Sequence, residues 1–312
     1  MNRMAIYLSI TFLVLLSFAL SLMIGSSHQF IWSFGSNDAV LLQLRLPRTL
    51  SAFVSGGLLG MAGALMQLLL QNPLADPYVL GISGGATFGI LLCMIISGNE
   101  TWMLPAGWLG SLLTIFLTIA LAKKHRFKAH SLLLIGIALS CGFSACISFL
   151  LMLGADTRLR TFLFWLTGDL NDANYPWLAT VILLFGLLNC MIAARGFNVL
   201  MRGEQAACAL GLPVARYRFF LYLLGSLFTA TAVSLAGSVG FVGLIVPHLV
   251  RLLFGYDQRI VLPLSLLLGG SLVTFADTLA RTVLAPQQIP VGLVLAFMGV
   301  PIFIGLLHKV PR

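Results

Sequence analysis

From Arg3 onward the chain is a succession of long apolar runs cut by short polar breaks. Runs of spanning length fall at residues 4–24, 49–70, 79–97, 105–122, 131–154, 176–195, 219–236, 240–254, 262–281 and 291–308. An α-helix crosses a hydrocarbon core of about 30 Å with about 20 apolar residues. Inside lipid, backbone N–H and C=O groups find no water, so each spanning segment has to satisfy its own. The pattern therefore predicts an all-α, polytopic membrane protein with about ten transmembrane helices. The run at 240–254 is the shortest. The run at 4–24 exceeds the apolar core of a signal peptide, about 7–15 residues. It is expected as the first span, despite the faintly cleavage-like string Ile24-Gly25-Ser26-Ser27.

Composition sharpens this picture. Of 312 residues, 59% are hydrophobic and only 9% charged, and the mean hydropathy is +1.03. A soluble domain carries about 25% charged residues. No polar stretch is long enough to form one, so residues 1–312 are expected to make a single transmembrane domain. The net charge of +9 is a topology signal. With the N-terminus in the cytoplasm and ten spans, Arg3, Lys123, Lys124, Arg126, Lys128, Arg195, Arg202, Arg216, Arg218, Arg251, Arg259, Lys309 and Arg312 fall inside. Arg45, Arg48, Arg158, Arg160 and Arg281 fall outside. All four lysines are on the inner side. A nucleic-acid binder needs a clustered basic face on a soluble fold, and none is visible. The five cysteines form no CxxC pair, and four lie within apolar runs, where Cys acts as a small hydrophobe.

Some chemistry is excluded. There is no GxxxxGK[ST] string, so the chain holds no phosphate loop of that type. A proton relay needs acids within the membrane, and only Asp277 lies well inside a span. A transporter of this composition draws its energy from another subunit. Two rivals are a secondary transporter working alone and a membrane-embedded enzyme. The first lacks the buried acids for proton coupling. The second lacks a catalytic cluster among the five His and nine acids.

Several polar features stand out. In the break at about 196–218, Glu204–Leu210 reads as a short helix that Gly211 ends, with Pro213 beyond it and a second short helix able to begin there. Ala206, Ala207 and Leu210 set against Arg202 and Glu204 make the segment amphipathic. That suits docking into a groove of a soluble partner, or an ordinary positive-inside loop. Leu44-Arg45-Leu46-Pro47-Arg48 and Arg281 put arginines on the disfavoured side. They are either snorkelling helix ends or cationic handles for acidic groups of an external partner. Gln71 to Pro77 breaks the helical pattern with two prolines and an Asn, as a turn or as a gate lining a cavity. Gly136, Ser140, Ser144 and Ser148 recur every four residues, a stripe that suits a pore wall or helix packing equally. Gly56 and Gly60, and Gly81, Gly85 and Gly89, have the small-residue spacing of close helix contacts. Pro247 kinks or caps its helix, and His248 beside it reads as a structural residue.

These strings together resemble one family, the permeases of ATP-binding-cassette importers for ferric siderophores, haem and vitamin B12, a type II importer permease of FecCD-like kind. The stretches that carry the resemblance are LRLPRTLSAFVSGGLLGMAGALMQLLLQNPLADPYVLGISGGA (44–86), RGEQAACALGLP (202–213), AGSVGFVGLIVPHLVRLL (236–253) and ADTLAR with IPVGLVLAFMGVPIFIGLL (276–307). The resemblance implies a homodimer in a bacterial inner membrane with both termini cytoplasmic. It implies two cytoplasmic ATP-binding subunits and a periplasmic or lipid-anchored substrate-binding protein. It implies no catalysis by this chain and no cofactor of its own, with ATP and Mg held by the partner subunits. Arg45, Arg48 and Arg281 are then expected to meet acids of the binding protein. Arg202, Gly203, Glu204, Ala207, Leu210, Gly211 and Leu212 are expected to form the coupling segment against the ATPase. Asn72, Pro73 and Leu74 are expected to gate the inner side, and the helix of Ser140, Ser144 and Ser148 to line the path. A ferric siderophore or haem is the expected cargo, with cobalamin the alternative.

Overall fold

The computed structural model describes residues 3–24, 41–97, 102–124, 127–153, 162–170 and 176–309. Gly25–Ser27 and four arginines of the charge tally, Arg126, Arg158, Arg160 and Arg312, lie outside the described residues. Among the described residues the architecture is all-helical. The helices are α1 (Arg3–Met23), α2 (Leu46–Leu69), α3 (Ile82–Ser97), α4 (Met103–Lys123), α5 (Ala129–Leu153), α6 (Pro176–Leu200), α7 (Glu204–Ala209), α8 (Val214–Ala236), α9 (Val242–Phe254), α10 (Gln258–Thr282) and α11 (Val291–Lys309). A π-helical turn over Leu41–Arg45 leads into α2, and a 3-10 turn over Pro77–Leu80 leads into α3. Six helical stretches are long and apolar enough to cross a membrane, and four shorter apolar ones accompany them. The protein is a multi-pass membrane protein.

One helix organises the rest. Between Thr49 and Leu69 every residue of α2 except Leu50 and Phe53 is buried. A helix this enclosed has to be apolar all round and small where its neighbours cross. Gly56 and Gly60 meet the backbone of α10 at Gly269 and Ser265, and Gly63 meets α9 at Gly243. A methyl group at Gly56 would overlap the Gly269 carbonyl and sit 2.7 Å from Val273 Cγ2. Gly85 and Gly89 place α3 against Gly110 and Ala106 of α4 in the same manner.

Two expectations about the spans are corrected. The run at 240–254 is helical only from Val242. It forms α9, whose 13 residues rise about 20 Å. The missing length is the non-helical segment 237–241, started by Gly237 at φ 69°. The run at 79–97 likewise loses its first residues to the 3-10 turn, and α3 starts only at Ile82. A third correction concerns Pro213. No separate short helix begins there, because Pro213 caps α8, which runs unbroken from Val214 to Ala236.

α5 and α6 face outward. Leu134, Ile137, Phe149 and Met152 of α5, and Leu178, Phe185 and Ile192 of α6, are all exposed on the single chain. An apolar face of this extent is stable only against lipid or another apolar surface.

Candidate functional site

The α1–α2 corner and the C-terminus of α10 define one end of the bundle, and α7 lies at the other. At the first end two arginines, Arg48 and Arg281, converge on one carboxylate, with Arg45 nearby. Asp277 of α10 is fully buried. Arg48 of α2 donates to it from Nη2 at 2.8 Å and Nε at 3.1 Å, and Nε of Arg281 lies 3.1 Å from Oδ2. Arg48 also donates to Gln288 Oε1 at 3.1 Å, and Arg281 to Ser21 Oγ at 2.9 Å. Arg45 Nη1 donates to the Leu22 and Met23 carbonyls in the last turn of α1. Thus α1, α2 and α10 are stapled together by the same residues that the sequence offered as external handles.

This geometry changes the expectation for Arg281. It is 4% exposed, so as folded it faces Asp277 and Ser21 rather than an outside partner. The sequence could not show this, because Asp277 and Arg48 are 229 positions apart. Arg45 and Arg48 remain partly exposed. The cluster of Arg45, Arg48 and Arg281 with Asp277 carries more positive than negative charge.

The opposite end carries α7. Gly203 precedes it at φ 101° and Gly211 follows at φ 76°, backbone regions that L residues other than Gly rarely adopt. The two glycines turn a six-residue helix out of the path between α6 and α8. Ala207 packs inward, while Arg202, Glu204, Leu210 and Gly211 are exposed and Leu212 is half-buried. Arg218 of α8 is buried and clamps Glu204 through paired contacts of 3.0 and 3.2 Å. Leu210 is 65% exposed, an apolar side chain presented at the tip of a braced helix. A groove of about 350 Å³ lined by Lys123, Phe127, Ala215, Arg216 and Phe219 opens on the adjoining surface.

The Asn72–Leu74 turn is exposed at the same end. Asn72 Oδ1 accepts from the Leu74 N–H at 2.9 Å, and its carbonyl accepts from the Ala75 N–H. From there the chain runs back into the bundle. Pro77 packs on Gly243, and the Tyr78 hydroxyl both accepts from the Val239 N–H and donates to the Val239 carbonyl, each at 3.0 Å. Two irregular segments, 72–81 and 237–241, satisfy each other inside the fold, which is where broken backbone is tolerated in a membrane protein. Nothing local in the sequence marks the Tyr78–Val239 pair.

Asp76 opens the 3-10 turn, accepting from the Tyr78 N–H at 2.8 Å. Burial pushes its carboxyl up to about 6, against the opposing effect of that hydrogen bond. A raised folded-state value means the proton binds more tightly to the folded protein. The resulting stability is complete below the ordinary value of 3.8 and is lost as pH rises through about 6. Asp76→Asn keeps the acceptor oxygen and removes the titration. The variant is expected to show a flatter thermal stability than the parent between about pH 4.5 and about 6.5. Equal slopes for the two proteins would show that Asp76 does not titrate there.

In the α5 stripe, Gly136 packs against Val79 and Leu80, while Ser144 and Ser148 are exposed and Ser140 is half-buried. The Ser148 hydroxyl donates to the Ser144 carbonyl at 2.9 Å, so its polarity is met within its own helix. The stripe belongs to the largely uncovered face of the chain. His248 is buried in α9, after Pro247.

Comparison with known proteins agrees with this layout. The model of the FecCD transport family matches residues 11–309. The vitamin B12 import system permease protein BtuC of Vibrio vulnificus is 35% identical over 98% of this chain and 94% of its own length. The iron(3+)-hydroxamate import system permease protein FhuB of Escherichia coli is 36% identical over 96% of this chain, which spans 46% of FhuB. A solved structure described as an inward-facing conformation of a metal-chelate type ABC transporter superposes with a TM-score of 0.86, at 30% identity, covering 97% of this chain and 98% of that one. With a family match over nearly its whole length and the fold to go with it, the chain belongs to the FecCD transport family of membrane permeases.

Proposed function

We propose that this chain is the membrane-spanning subunit of an ATP-driven importer for a metal chelate, with a ferric siderophore or haem as first cargo and cobalamin as the alternative. The observation that carries the reading is α7. A six-residue helix turned out by two positive-φ glycines, braced by Glu204–Arg218 and tipped by exposed Leu210, is built to receive force from outside. The proposal makes Arg202, Gly203, Glu204, Ala207, Leu210, Gly211 and Leu212 the coupling segment. The partner is a cytoplasmic ATP-binding subunit, one for each of two copies of this chain. ATP and Mg reside in that partner.

The relatives support the cargo class. BtuC is named for vitamin B12 and FhuB for iron(3+)-hydroxamate, and both cargoes are bulky metal complexes. A wrapped metal needs no ligands from the wall, and a wall of small and weakly polar side chains releases what it admits. The exposed face of α5, with Ser140, Ser144 and Ser148, fits the twofold axis of a dimer and the translocation path. The Asn72-Pro73-Leu74 turn then gates the inner side. The arginine cluster at the first end fits acidic groups of a substrate-binding protein, with Arg45 and Arg48 in front and Arg281 behind them. In this arrangement α7 and both termini lie in the cytoplasm of a bacterial cell.

The test is reconstitution in proteoliposomes with the ATPase subunits and the binding protein. Uptake is expected to require ATP and all three components. Gly203→Pro is expected to abolish uptake while the ATPase subunits keep their basal turnover, because Pro is locked near φ −65° and α7 cannot leave α6 as it does here. Uptake without ATP would favour a stand-alone secondary transporter. Normal uptake in Gly203→Pro would remove the coupling role.

A further inference from the structure

Helix α9 carries a proline, Pro247, in its interior. Proline has no N–H, so the carbonyl four residues earlier, Gly243, loses its helical donor. The neighbouring helix supplies one. Gln67 of α2 donates from Nε2 to the Gly243 carbonyl at 3.3 Å and to the Leu244 carbonyl at 3.1 Å. Gln67 is 4% exposed and stands in the middle of an otherwise apolar stretch. Its amide can point only one way here, since turning it over would set Oε1 against two carbonyl oxygens. Gly63 lies one turn earlier on the same face of α2, in backbone contact with Gly243, so the two helices are held at the distance this bond needs.

The main chain of the same residue does a second thing. The Gln67 carbonyl accepts from the Asn72 N–H at 3.1 Å and so fixes the start of the 72–74 turn. The far end of α9 is anchored as well. Asp257, just beyond it, accepts from Asn198 Nδ2 at 2.7 Å, and Asn198 Oδ1 accepts from the Gln258 N–H at 2.8 Å. Asn198 sits in the last turn of α6, immediately before the segment that turns out α7. Hydrogen bonds thus run from the root of α7 to the start of α10, just past α9, and from the proline turn of α9 through Gln67 to the exposed turn.

We infer that Gln67 is a positioning residue: it fills the hydrogen-bond gap that Pro247 opens in α9 and makes α9 and the 72–74 turn move as one body. This rests on the permease reading, in which α9 carries the displacement of the coupling segment to the inner gate. Gln67 does not touch cargo. It acts through α9.

Two measurements test it. The first is a thermal-stability cycle on the purified chain and needs no partner. Gln67→Met keeps the size and removes the donor, and is expected to lower Tm by about 3 °C. Pro247→Ala restores the missing N–H, and in that background the same change is expected to cost under about 1 °C. Gln67→Glu is expected to behave like Gln67→Met or worse, since it brings oxygen to oxygen. Equal costs in both backgrounds would overturn the pairing. Should Gln67→Met alone fail to fold, recovery of folded protein by Pro247→Ala supports the pairing, and failure of the double variant to recover overturns it.

The second is the distance between spin labels at Leu74→Cys and Leu253→Cys, both exposed positions, with the five native cysteines replaced by alanine. It is read in the assembled complex, idle and trapped with ATP and vanadate. A single narrow distance common to both states is expected, with a broad distribution in Gln67→Met. A wild-type distance that changes on trapping, or a Gln67→Met distribution as narrow as the parent, would overturn the single-body claim. Loss of ATP-driven uptake in wild type, with the stability cycle intact, would instead discard the permease reading and leave the Gln67–Pro247 pairing standing.

Discussion

Gly56→Leu is expected to leave almost no folded protein. Gly56 lies where α2 and α10 touch backbone to backbone, and its added side chain would run into the Gly269 carbonyl and Val273. A carbonyl in a helix cannot rotate aside without breaking its own hydrogen bond. Relief therefore requires the two helices to separate along their length, and α2 is enclosed on all sides. Overpacking costs typically about 1–3 kcal/mol even where side chains can yield, and here backbone is in the way. A folded domain has only about 5–15 kcal/mol in hand. Gel filtration of a fluorescent fusion in detergent is the measurement, with Gly142→Leu as control, since an added Cβ there meets nothing within 4 Å in the single chain. A monodisperse Gly56→Leu peak of parental height would show that α2 and α10 do not pack as described.

The second large effect is at Asp277. Removing one partner of a buried ion pair costs about 3–5 kcal/mol, because the charge left behind has neither water nor counter-ion. Asp277→Leu leaves two guanidiniums, Arg48 and Arg281, in that position. It is expected to lower Tm more than any single arginine replacement in the cluster. Adding Arg48→Met and Arg281→Met to Asp277→Leu is expected to recover much of the loss, since an apolar set of similar volume carries no uncompensated charge. A triple variant no more stable than Asp277→Leu would mean that Asp277 matters through packing and not through charge. The same geometry bears on function. Arg48 is held by the Asp277 carboxylate and Arg45 by the Leu22 and Met23 carbonyls, so both arginines are in position before an acidic partner arrives.

How much of this was legible in the residues differs from element to element. The long apolar runs predicted α1, α2, α4, α5, α6, α8, α10 and α11 because a helix in lipid is dictated locally: each backbone group bonds within its own segment. The run at 240–254 was read as a crossing and forms a 13-residue helix, preceded by a non-helical segment whose Val239 is held by Tyr78, which is remote in sequence. Gly211 marked the end of α7 correctly, since positive φ is a local demand, whereas the Glu204–Arg218 clamp that holds α7 is a tertiary fact. Pro247 was read as a kink or cap and Gln67 was not singled out, because nothing in the order of residues says that one answers the other.

The sequence by itself determined that this chain lives in lipid, that it is helical, and that it lacks a phosphate loop, because those properties follow from local composition and backbone chemistry. Its motifs were also sufficient to point to the family. Only the tertiary structure decided which arginines face outward and which are consumed by Asp277, where the broken segments of the chain find their hydrogen bonds, and which glycines are contacts between backbones. The physical reason is the same in each case. A buried polar group is defined by its partner, and these partners lie as many as 260 positions away.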